Sequence, residues 1–401
     1  MLSYSEVVKT LEDPSSFLAA VNELDIKGRA AHTPYPDSAQ FVKCIYEGFL
    51  RFPERLENYN LSKTERRGAK RKSLPYVIDF EPVSRCNYRC TMCQVSEWQK
   101  GQRAEDMPLS ELERMKALWP YVVELKLHGM GEPLLHPDFF TMLEYFRKWY
   151  IWTRTSTNGS LLFRDEIREQ ITKSPLGEMQ ISIDGATRDT YESIRVRGKF
   201  HQVTKGCFEL NRALESEGRL LTRMWVVIQA ANVHELADFA SLALDLGFKR
   251  LTYSLSLNDW GQEKWREVNA GKQIATNPVE EQALQIREDW GNRGLEVSIW
   301  RQSEHYSTAS LSRLCPWIFE RTYICSDSRV TPCAIIGNPD VVDLGSATDF
   351  IETWNDDPYT AFREAHLRGH PPKECLSCYG DNPIAQQTFV ELPTPRVLTR
   401  G

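Results

Sequence analysis

Residues 84–93 read SRCNYRCTMC and place three cysteines, Cys86, Cys90 and Cys93, in one short stretch. A structural zinc site closes with four ligands, usually arranged as two pairs, and a disulfide framework needs an even number of cysteines. Three thiolates leave one coordination position of a metal centre open, and an open position is where a metal centre reacts. The stretch therefore predicts a reactive metal centre.

The composition is that of a globular protein with more than one core. The chain has 401 residues, of which 41% are hydrophobic and 26% charged, and this length predicts two or three domains. The net charge of −6 argues against a nucleic-acid-binding surface along the whole chain. No apolar run approaches the roughly 18 residues of a membrane span. Ten cysteines without a secretory pattern predict a reducing, cytoplasmic location and no membrane partner.

Six predicted strands alternate with helical patterns in the middle of the chain. They are expected at 76–83, 122–128, 151–158, 178–184, 223–229 and 250–256. One of the helices, at 234–247, is amphipathic, and Gly247 is placed to end it. The alternation predicts parallel β/α units with right-handed crossovers. Six units are too few for a closed eight-stranded barrel, so the predicted fold class is α/β with a partial (β/α)6 barrel, whose chemistry lies at the C-terminal strand ends.

A distinctive motif follows each of the first four predicted strands. The cysteine trio follows the first, and its spacing suits three irons of a [4Fe–4S] cube with the fourth iron open. HGMGEPLLHPDF (128–139) follows the second, where Gly129 and Gly131 let the backbone approach a ligand closely. STNGS (156–160) and SIDG (182–185) follow the third and fourth, and their polar groups suit a ribose or a carboxylate.

On these motifs the sequence resembles the radical S-adenosylmethionine (radical SAM) enzymes. CNYRCTMC resembles that family's cluster-binding signature, GMGEP its loop for the methionine amino group, and STNG and SIDG its ribose and carboxylate contacts. The resemblance implies that the open iron binds S-adenosylmethionine, whose reductive cleavage gives a 5′-deoxyadenosyl radical that abstracts a substrate hydrogen. One position departs from the family pattern, because the residue before the third cysteine is often aromatic and here is Met92. The implied cofactor contacts are Met92, Gly129, Gly131, Glu132, Pro133, Ser156, Asn158, Ser182, Asp184, Arg195 and Asn232.

A second set of cysteines lies late in the chain, and its members are Cys315, Cys325, Cys333, Cys375 and Cys378. Their context, from a Cys-Pro pair to a closing Cys-x-x-Cys, resembles the SPASM/twitch domain, which binds an auxiliary iron–sulfur cluster. The resemblance implies a second [4Fe–4S] cluster on Cys315, Cys333, Cys375 and Cys378, and a zinc site on the same thiols is the alternative. Cys325 is either a small buried side chain or a hydrogen-atom donor to a substrate radical, which would make the enzyme an epimerase.

The auxiliary cluster narrows the predicted reaction. An enzyme that only removes and returns a hydrogen needs no second redox centre, whereas a net two-electron oxidation does. We therefore predict an oxidoreductase, either a dehydrogenase or an epimerase, that acts on a sugar or aminocyclitol-like small molecule. A maturase of ribosomally made peptides is the alternative, and a zinc-binding structural protein is the third reading. The resemblance also implies a flavodoxin- or ferredoxin-type reductase as partner.

Five segments are expected along the chain. Residues 1–75 form a helical extension, 76–257 the partial barrel, 258–312 a bridging linker, 313–385 the SPASM/twitch-like domain and 386–401 a tail. The basic run KTERRGAKRK (63–72) is interpreted either as a solvated connector or as a contact for a polyanionic substrate or carrier. The sequence singles out no general base, and His128 is interpreted as fixing the geometry of the loop that it begins.

Overall fold

The computed structural model describes residues 38–99, 103, 106–300 and 306–379. Its strands are β1 (Val77–Phe80), β2 (Glu124–Leu127), β3 (Trp152–Thr157), β4 (Glu178–Ser182), β5 (Thr222–Val227), β6 (Arg250–Ser254), β7 (Glu296–Trp300), β8 (Arg321–Ile324) and β9 (Val330–Thr331). Among these residues the strands form one sheet in the order β7-β6-β5-β4-β3-β2-β1-β8-β9. All neighbours are parallel except β8 and β9. The predicted α/β partial barrel is confirmed.

Helices follow most strands, as parallel crossovers require. They are α1 (Ser38–Arg51), α2 (Pro53–Thr64), α3 (Leu109–Arg114), α4 (Phe139–Lys148), α5 (Asp165–Lys173), α6 (Arg188–Ile194), α7 (Phe200–Ser216), α8 (Leu236–Asp245), α9 (Glu263–Ala270), α10 (Thr276–Gly291), α11 (Trp317–Glu320), α12 (Phe350–Thr353) and α13 (Asp357–Leu367). α8 buries an apolar stripe, and Gly247 follows it with a left-handed φ of 79°, as predicted. None of the helices described has the length and apolar character needed to cross a bilayer.

The expected linker contains a seventh parallel strand. β7 lies beside β6, with Arg250 opposite Glu296 and Ser254 opposite Trp300. Because α9 and α10 precede β7, residues 258–300 form a further helix–strand unit, and the expectation of a linker is corrected. The stretch LEVSIW (295–300) carries the apolar alternation that marks a strand. Residues 1–37 of the expected extension, 301–305 of the expected linker, and 380–401 with the expected tail lie outside the described residues.

The extension covers the edge of the sheet where β1, β2 and β3 begin. Arg55 of α2 is fully buried there, and its guanidinium donates to four backbone carbonyls in 119–120 and 149–150. Carbonyls at helix ends have no partner within their own helix, so a buried cation that satisfies them fixes α2 in place. The apolar part of this contact consists of Phe41, Ile45, Phe49, Leu56, Tyr59, Tyr76, Val77, Val123 and Trp152.

Two cations of the basic run are used inside the protein. Lys63 Nζ lies 3.6 Å from the carboxylate of Glu320, and Arg67 lies 3.7 Å from the same carboxylate. Arg67 also donates to two backbone carbonyls, at Leu311 and Leu314. Lys63 and Arg67 therefore bind the extension to the C-terminal region, whereas Arg66, Lys70 and Lys72 are exposed, as in a solvated connector.

The C-terminal region is fixed to the barrel as well as to the extension. β8 pairs with β1, which places Val77 opposite Arg321 and Phe80 opposite Ile324. On the other side, the indole N–H of Trp354, which is fully buried, donates to a backbone carbonyl of the extension at residue 73, at 2.8 Å. The C-terminal region therefore contacts both β1 and the segment that directly precedes it.

Replacing Glu320 with glutamine tests this junction. Burial raises the pKa of Glu320, but Lys63, Arg67 and the Tyr76 hydroxyl outweigh it and hold that pKa below its usual range. Such a carboxylate stabilises the fold above its ordinary pKa, and the contribution disappears as pH falls through the lowered pKa. We expect Glu320→Gln to lower the free energy of unfolding by about 2 kcal/mol near neutral pH, and to flatten the acid loss of stability. Urea unfolding at several pH values measures both.

The matched control is Glu364→Gln, whose carboxylate pairs with Arg368 in an exposed helical contact of 2.7 Å. Exposed pairs contribute about 0.5 kcal/mol or less, so the control is expected to unfold like the parent. Equal destabilisation by the two substitutions would contradict a specific role for Glu320.

Candidate active site

The cysteine trio lies on the loop that leaves the C-terminal end of β1. Two backbone amides of this loop donate to carbonyls in 194–196, which fastens it to the segment after α6. Burial raises the pKa values of Cys86 and Cys93 to about 12 and raises the pKa of Cys90 as well. Thiols of this kind become thiolates when they bind a metal, which displaces their protons.

The trio opens into a cavity of about 280 Å³, here called cavity A, at the C-terminal ends of the central strands. This is where a β/α barrel carries its chemistry. The structure therefore brings the trio together with most of the predicted cofactor contacts. The predicted contacts that line cavity A are Met92, Gly129, Gly131, Glu132, Ser156, Asn158, Ser182 and Arg195.

Three predicted contacts, Pro133, Asp184 and Asn232, are buried but do not line cavity A. The Asp184 carboxylate accepts hydrogen bonds from the Arg195 guanidinium at 2.7 Å and from the Val227 amide at 2.8 Å. The Asn232 amide donates to the carbonyls of Asp184 and Val227, each at 2.9 Å. Asp184 and Asn232 thus orient Arg195 and the strand ends around it, and the predicted cofactor contacts of all three residues stay predictions.

Glu132 ties the loop after β2 to the end of β3. Its carboxylate accepts from the Thr157 hydroxyl at 2.5 Å and from the backbone amides of Asn158 and Leu134 at 2.7 and 3.3 Å. Burial raises the pKa of Glu132 to about 7, although these hydrogen bonds oppose the rise. Glu132 therefore lines cavity A while its oxygens hold the shape of the cavity wall.

Gly129 and Gly131 allow two loops to touch. A Cβ at Gly131 would lie 2.3 Å from the carbonyl oxygen of Val83 and 2.5 Å from that of Arg85. A Cβ at Gly129 would lie 2.4 Å from the Cγ of Glu81. In the structure the close approach at these glycines is to the segment after β1, and the predicted approach to a ligand stays a prediction.

Glu81 joins this loop contact to the C-terminal region. It is fully buried, and it accepts from the Met130 amide at 3.0 Å and from the Tyr323 hydroxyl at 3.2 Å. It also accepts from the Ser326 amide at 3.1 Å and from the Arg103 guanidinium at 2.8 Å. One carboxylate thus links the loop after β2 with the segment after β8.

Four of the late cysteines line a second cavity of about 300 Å³, here called cavity B; they are Cys315, Cys333, Cys375 and Cys378. Burial raises the pKa of Cys315 to about 11 and that of Cys333 to about 12, and it places the pKa values of Cys375 and Cys378 well above the usual range. Each of the last three is raised further by the charge of neighbouring thiolates in the set. The four sulfurs are therefore grouped closely enough to interact electrostatically.

Both cysteine sets fit an iron–sulfur cube. In the part of the chain that the structure describes, no three His, Cys, Asp or Glu side chains converge on one point as ligands of a single metal ion would. A cube does not need such convergence, because each thiolate binds its own iron. The ligands of the first cluster would be Cys86, Cys90 and Cys93, and those of the second Cys315, Cys333, Cys375 and Cys378.

Cavities A and B share one wall, so a group bound in cavity B lies directly beside cavity A. Three of the six residues in this wall are tryptophans, and aromatic side chains of this size contribute large contact areas to a bound group. The residues common to both linings are Gly129, Met130, Trp225, Asn258, Trp260 and Trp300.

Charged side chains line the barrel interior where it faces cavity B. The strand register places Asp79, Lys126, Arg154 and Glu178 side by side on β1 to β4. His128 follows on the same face, with its Nε2 2.5 Å from Asp79 Oδ1. Sequence reasoning missed this row. Strands of a parallel sheet are normally continuous apolar runs, so the charged residues at alternate positions of these strands could have indicated the row.

Cys325 reaches neither cavity. It directly follows β8, is fully buried, and lies with its Sγ 4.0 Å from the carbonyl oxygen of Gly337. Burial places the pKa of its thiol well above the usual range. A hydrogen-atom donor has to touch the substrate radical, so this buried position favours the interpretation of Cys325 as a small buried side chain over a catalytic role.

Comparison with known families agrees with this geometry. Residues 80–243 match the family model of the radical SAM superfamily, and residues 315–379 match that of the SPASM iron–sulfur cluster-binding domain. The first match contains the cysteine trio and the second contains the four late cysteines. The chain therefore carries a radical SAM domain followed by a C-terminal SPASM domain. Its cofactors are accordingly S-adenosylmethionine and [4Fe–4S] clusters.

Individual relatives are similar at low identity. Mycofactocin maturase MftC from Mycobacterium ulcerans is 27% identical over 209 residues, which is 50% of this chain and 53% of MftC. The subtilosin biosynthesis protein AlbA from Bacillus subtilis is 25% identical over 201 residues, 49% of this chain and 42% of AlbA. The chain thus spans about half the length of these curated relatives. Streptococcus suis SuiB bound to S-adenosylmethionine shares the fold, with a TM-score of 0.59, 17% identity, and coverage of 91% of this chain and 82% of SuiB.

Replacing Glu132 with glutamine tests the wall of cavity A. Gln has one acceptor oxygen in place of two, so at least one of the bonds that join the loop after β2 to β3 is lost. We expect the dissociation constant of S-adenosylmethionine to rise about tenfold, as the loss of one charge-assisted hydrogen bond predicts. Calorimetry on the anaerobically reconstituted protein measures it. Glu97→Gln, at an exposed pair with Lys264, is the control, and an unchanged affinity in Glu132→Gln would contradict this role.

Proposed function

We propose that the chain is a peptide maturase, a radical SAM oxidoreductase that oxidises one residue of a peptide bound in cavity B. One observation carries the proposal: cavity A, beside the trio, and cavity B, beside the late cysteines, share a wall. A substrate group at that wall would lie next to both cluster sites. Holding reactants in such a geometry is a large part of what an enzyme contributes to a rate.

The chain's own residues would bind and orient the substrate. When bound, the first cluster and S-adenosylmethionine supply hydrogen-atom abstraction, and the second cluster supplies an electron acceptor. Trp225, Trp260 and Trp300 offer a flat apolar surface to a side chain at the shared wall. Lys126 and Arg154 give the barrel face of cavity B a polar character suited to backbone amides or a carboxylate.

The relatives support a peptide over the sugar or aminocyclitol predicted from the sequence. MftC is named a maturase, AlbA serves the biosynthesis of a bacteriocin, and SuiB has been solved with its precursor peptide SuiA. The oxidation predicted from the auxiliary cluster carries over to this substrate class, because peptide side chains also place C–H bonds beside heteroatoms. A flavodoxin- or ferredoxin-type reductase as electron donor is part of the proposal.

Iron content tests the two cluster sites. We expect about eight irons and eight sulfides per anaerobically reconstituted chain, and about four of each after Cys86, Cys90 and Cys93 are changed to alanine together. The triple variant is also expected to form no 5′-deoxyadenosine under dithionite. About four irons in the parent would leave no second electron acceptor, and the proposed net oxidation would be wrong.

Substrate class is tested by stimulation of 5′-deoxyadenosine formation. We would compare synthetic peptides translated from short reading frames beside the gene with a panel of aminocyclitols. The proposal expects a peptide to raise nucleoside formation by about tenfold or more, as substrate-dependent assembly of a site does. Mass spectrometry should then show that the peptide has lost two hydrogens. If only an aminocyclitol stimulated nucleoside formation, the proposed peptide substrate would be wrong, and the sugar or aminocyclitol substrate predicted from the sequence would be supported.

A further inference from the structure

His128 is placed to exchange a proton with a substrate in cavity B. It lies at the C-terminal end of β2, begins the loop that carries Gly129 and Gly131, and lines cavity B. Its side chain keeps 15% of its surface exposed, while that of Asp79 keeps 4%. The imidazole is therefore open to the cavity, and the carboxylate that binds it is enclosed behind it.

The second ring nitrogen of His128 is available. Nε2 is engaged by Asp79 Oδ1 at 2.5 Å, and within the described residues Nδ1 has no hydrogen-bond partner. Nδ1 is also absent from the nitrogens and oxygens that are sealed inside the protein without a partner. An Asp–His pair with one nitrogen fixed and the other open holds the imidazole in a single tautomer, with Nδ1 as its basic atom.

Neighbouring charges favour a neutral imidazole beside an ionised carboxylate. Burial and the charges of Lys126 and Arg154 lower the pKa of His128, against the attraction of Asp79. Burial raises the pKa of Asp79. The hydrogen bond with His128 and the charges of Lys126 and Arg321 outweigh burial and hold this pKa below its usual range. The Tyr323 ring, from β8, packs edge-on against the imidazole with centroids 6.4 Å apart.

Two other titratable groups near His128, Glu81 and Lys126, are less suited to accept a proton. Glu81 is fully buried and surrounded by the donors Met130, Tyr323, Ser326 and Arg103. Burial and the charge of Arg154 lower the pKa of Lys126 to about 8, so its amine still carries a proton near neutral pH. His128 alone among these combines an open nitrogen with a neutral resting form.

We propose that His128 is the catalytic proton acceptor of cavity B, with Asp79 as its positioning residue. This inference rests on the proposed function, and it narrows the substrate to a residue that carries an O–H, S–H or N–H beside the carbon that loses its hydrogen. Removal of a hydrogen atom by the S-adenosylmethionine chemistry leaves a carbon radical. The heteroatom would then give its proton to Nδ1 of His128, and the resulting radical would lose one electron to the cluster bound by the late cysteines, so that a double bond forms between carbon and heteroatom. In total the substrate loses one hydrogen atom, one proton and one electron, which is a two-electron oxidation.

His128→Gln is the test variant, because a glutamine amide can still donate to Asp79 but cannot take up a proton. The measured quantity is the amount of oxidised peptide formed per 5′-deoxyadenosine. We expect this ratio to fall on the order of 10²-fold while nucleoside formation persists, as the loss of a general base predicts. Asp79→Asn should lower the same ratio by a smaller factor. An unchanged ratio in His128→Gln, or equal loss of nucleoside and product, would overturn the proposal.

His136→Gln is the matched control. His136 belongs to the same motif and is buried, but both of its ring nitrogens are bonded, to the Met107 carbonyl and the Asp138 amide, each at 3.0 Å. It lines neither cavity. Because a ratio per nucleoside is independent of the folded fraction, this variant should keep the parental ratio even if its yield falls. A matching loss in His136→Gln would overturn the assignment.

A labelling experiment separates this proposal from the proposed function, because it needs no turnover. Diethyl pyrocarbonate modifies neutral imidazole nitrogens, and peptide mass spectrometry on the intact holoenzyme resolves each histidine. We expect His128 to be labelled about tenfold faster than His136, which requires local opening before reagent can reach it. Equal labelling rates would contradict the claim that Nδ1 of His128 is accessible from cavity B. Fast labelling of His128 with no peptide stimulation would instead refute the proposed substrate class and leave the assignment of the group standing.

Discussion

The pairing of β1 with a neighbour on each side is the constraint on which the whole site depends. β2 lies on one side of it and β8 on the other, both parallel and both in register with its four residues. The loop after β1 carries the first cysteine set, and the segments flanking β8 carry Cys315 and Cys333. Hydrogen bonds along a single short strand therefore fix the position of one cluster site relative to the other. Glu81, directly after β1, adds a buried carboxylate that reaches both sides.

The parts of the fold that were predictable from the sequence are those specified by local pattern. The six strands were predictable because short strand-like segments alternate with helical patterns, and α8 and Gly247 follow from helical periodicity and left-handed termination. The cysteine sets were predictable because metal ligation depends on residue type and spacing. Met92, Ser156 and Ser182 were placed correctly at cavity A, since the ends of parallel strands meet at one edge of the sheet.

The parts that were not predictable depend on which distant residue a side chain meets. Asp184 and Asn232 belong to the right motifs, but whether they touch a cofactor or support Arg195 is decided by packing. The basic run has the composition of a surface, yet Lys63 and Arg67 find the carboxylate of Glu320 about 250 residues away. The charged row from Asp79 to Glu178 exists only through the register of four strands, which no single segment encodes.

The contact at Gly131 couples the loop after β2 to the loop after β1, so that the two loops move together. Backbone meets backbone there, with no side chain between that could adjust its rotamer to absorb a displacement. Any movement of the loop after β2, which lines cavity A, must then be passed to the loop that carries the cysteine trio. Binding free energies that are coupled in this way are reciprocal. A change that strengthens binding of S-adenosylmethionine should therefore also strengthen binding of the first cluster, and a change that weakens one should weaken the other.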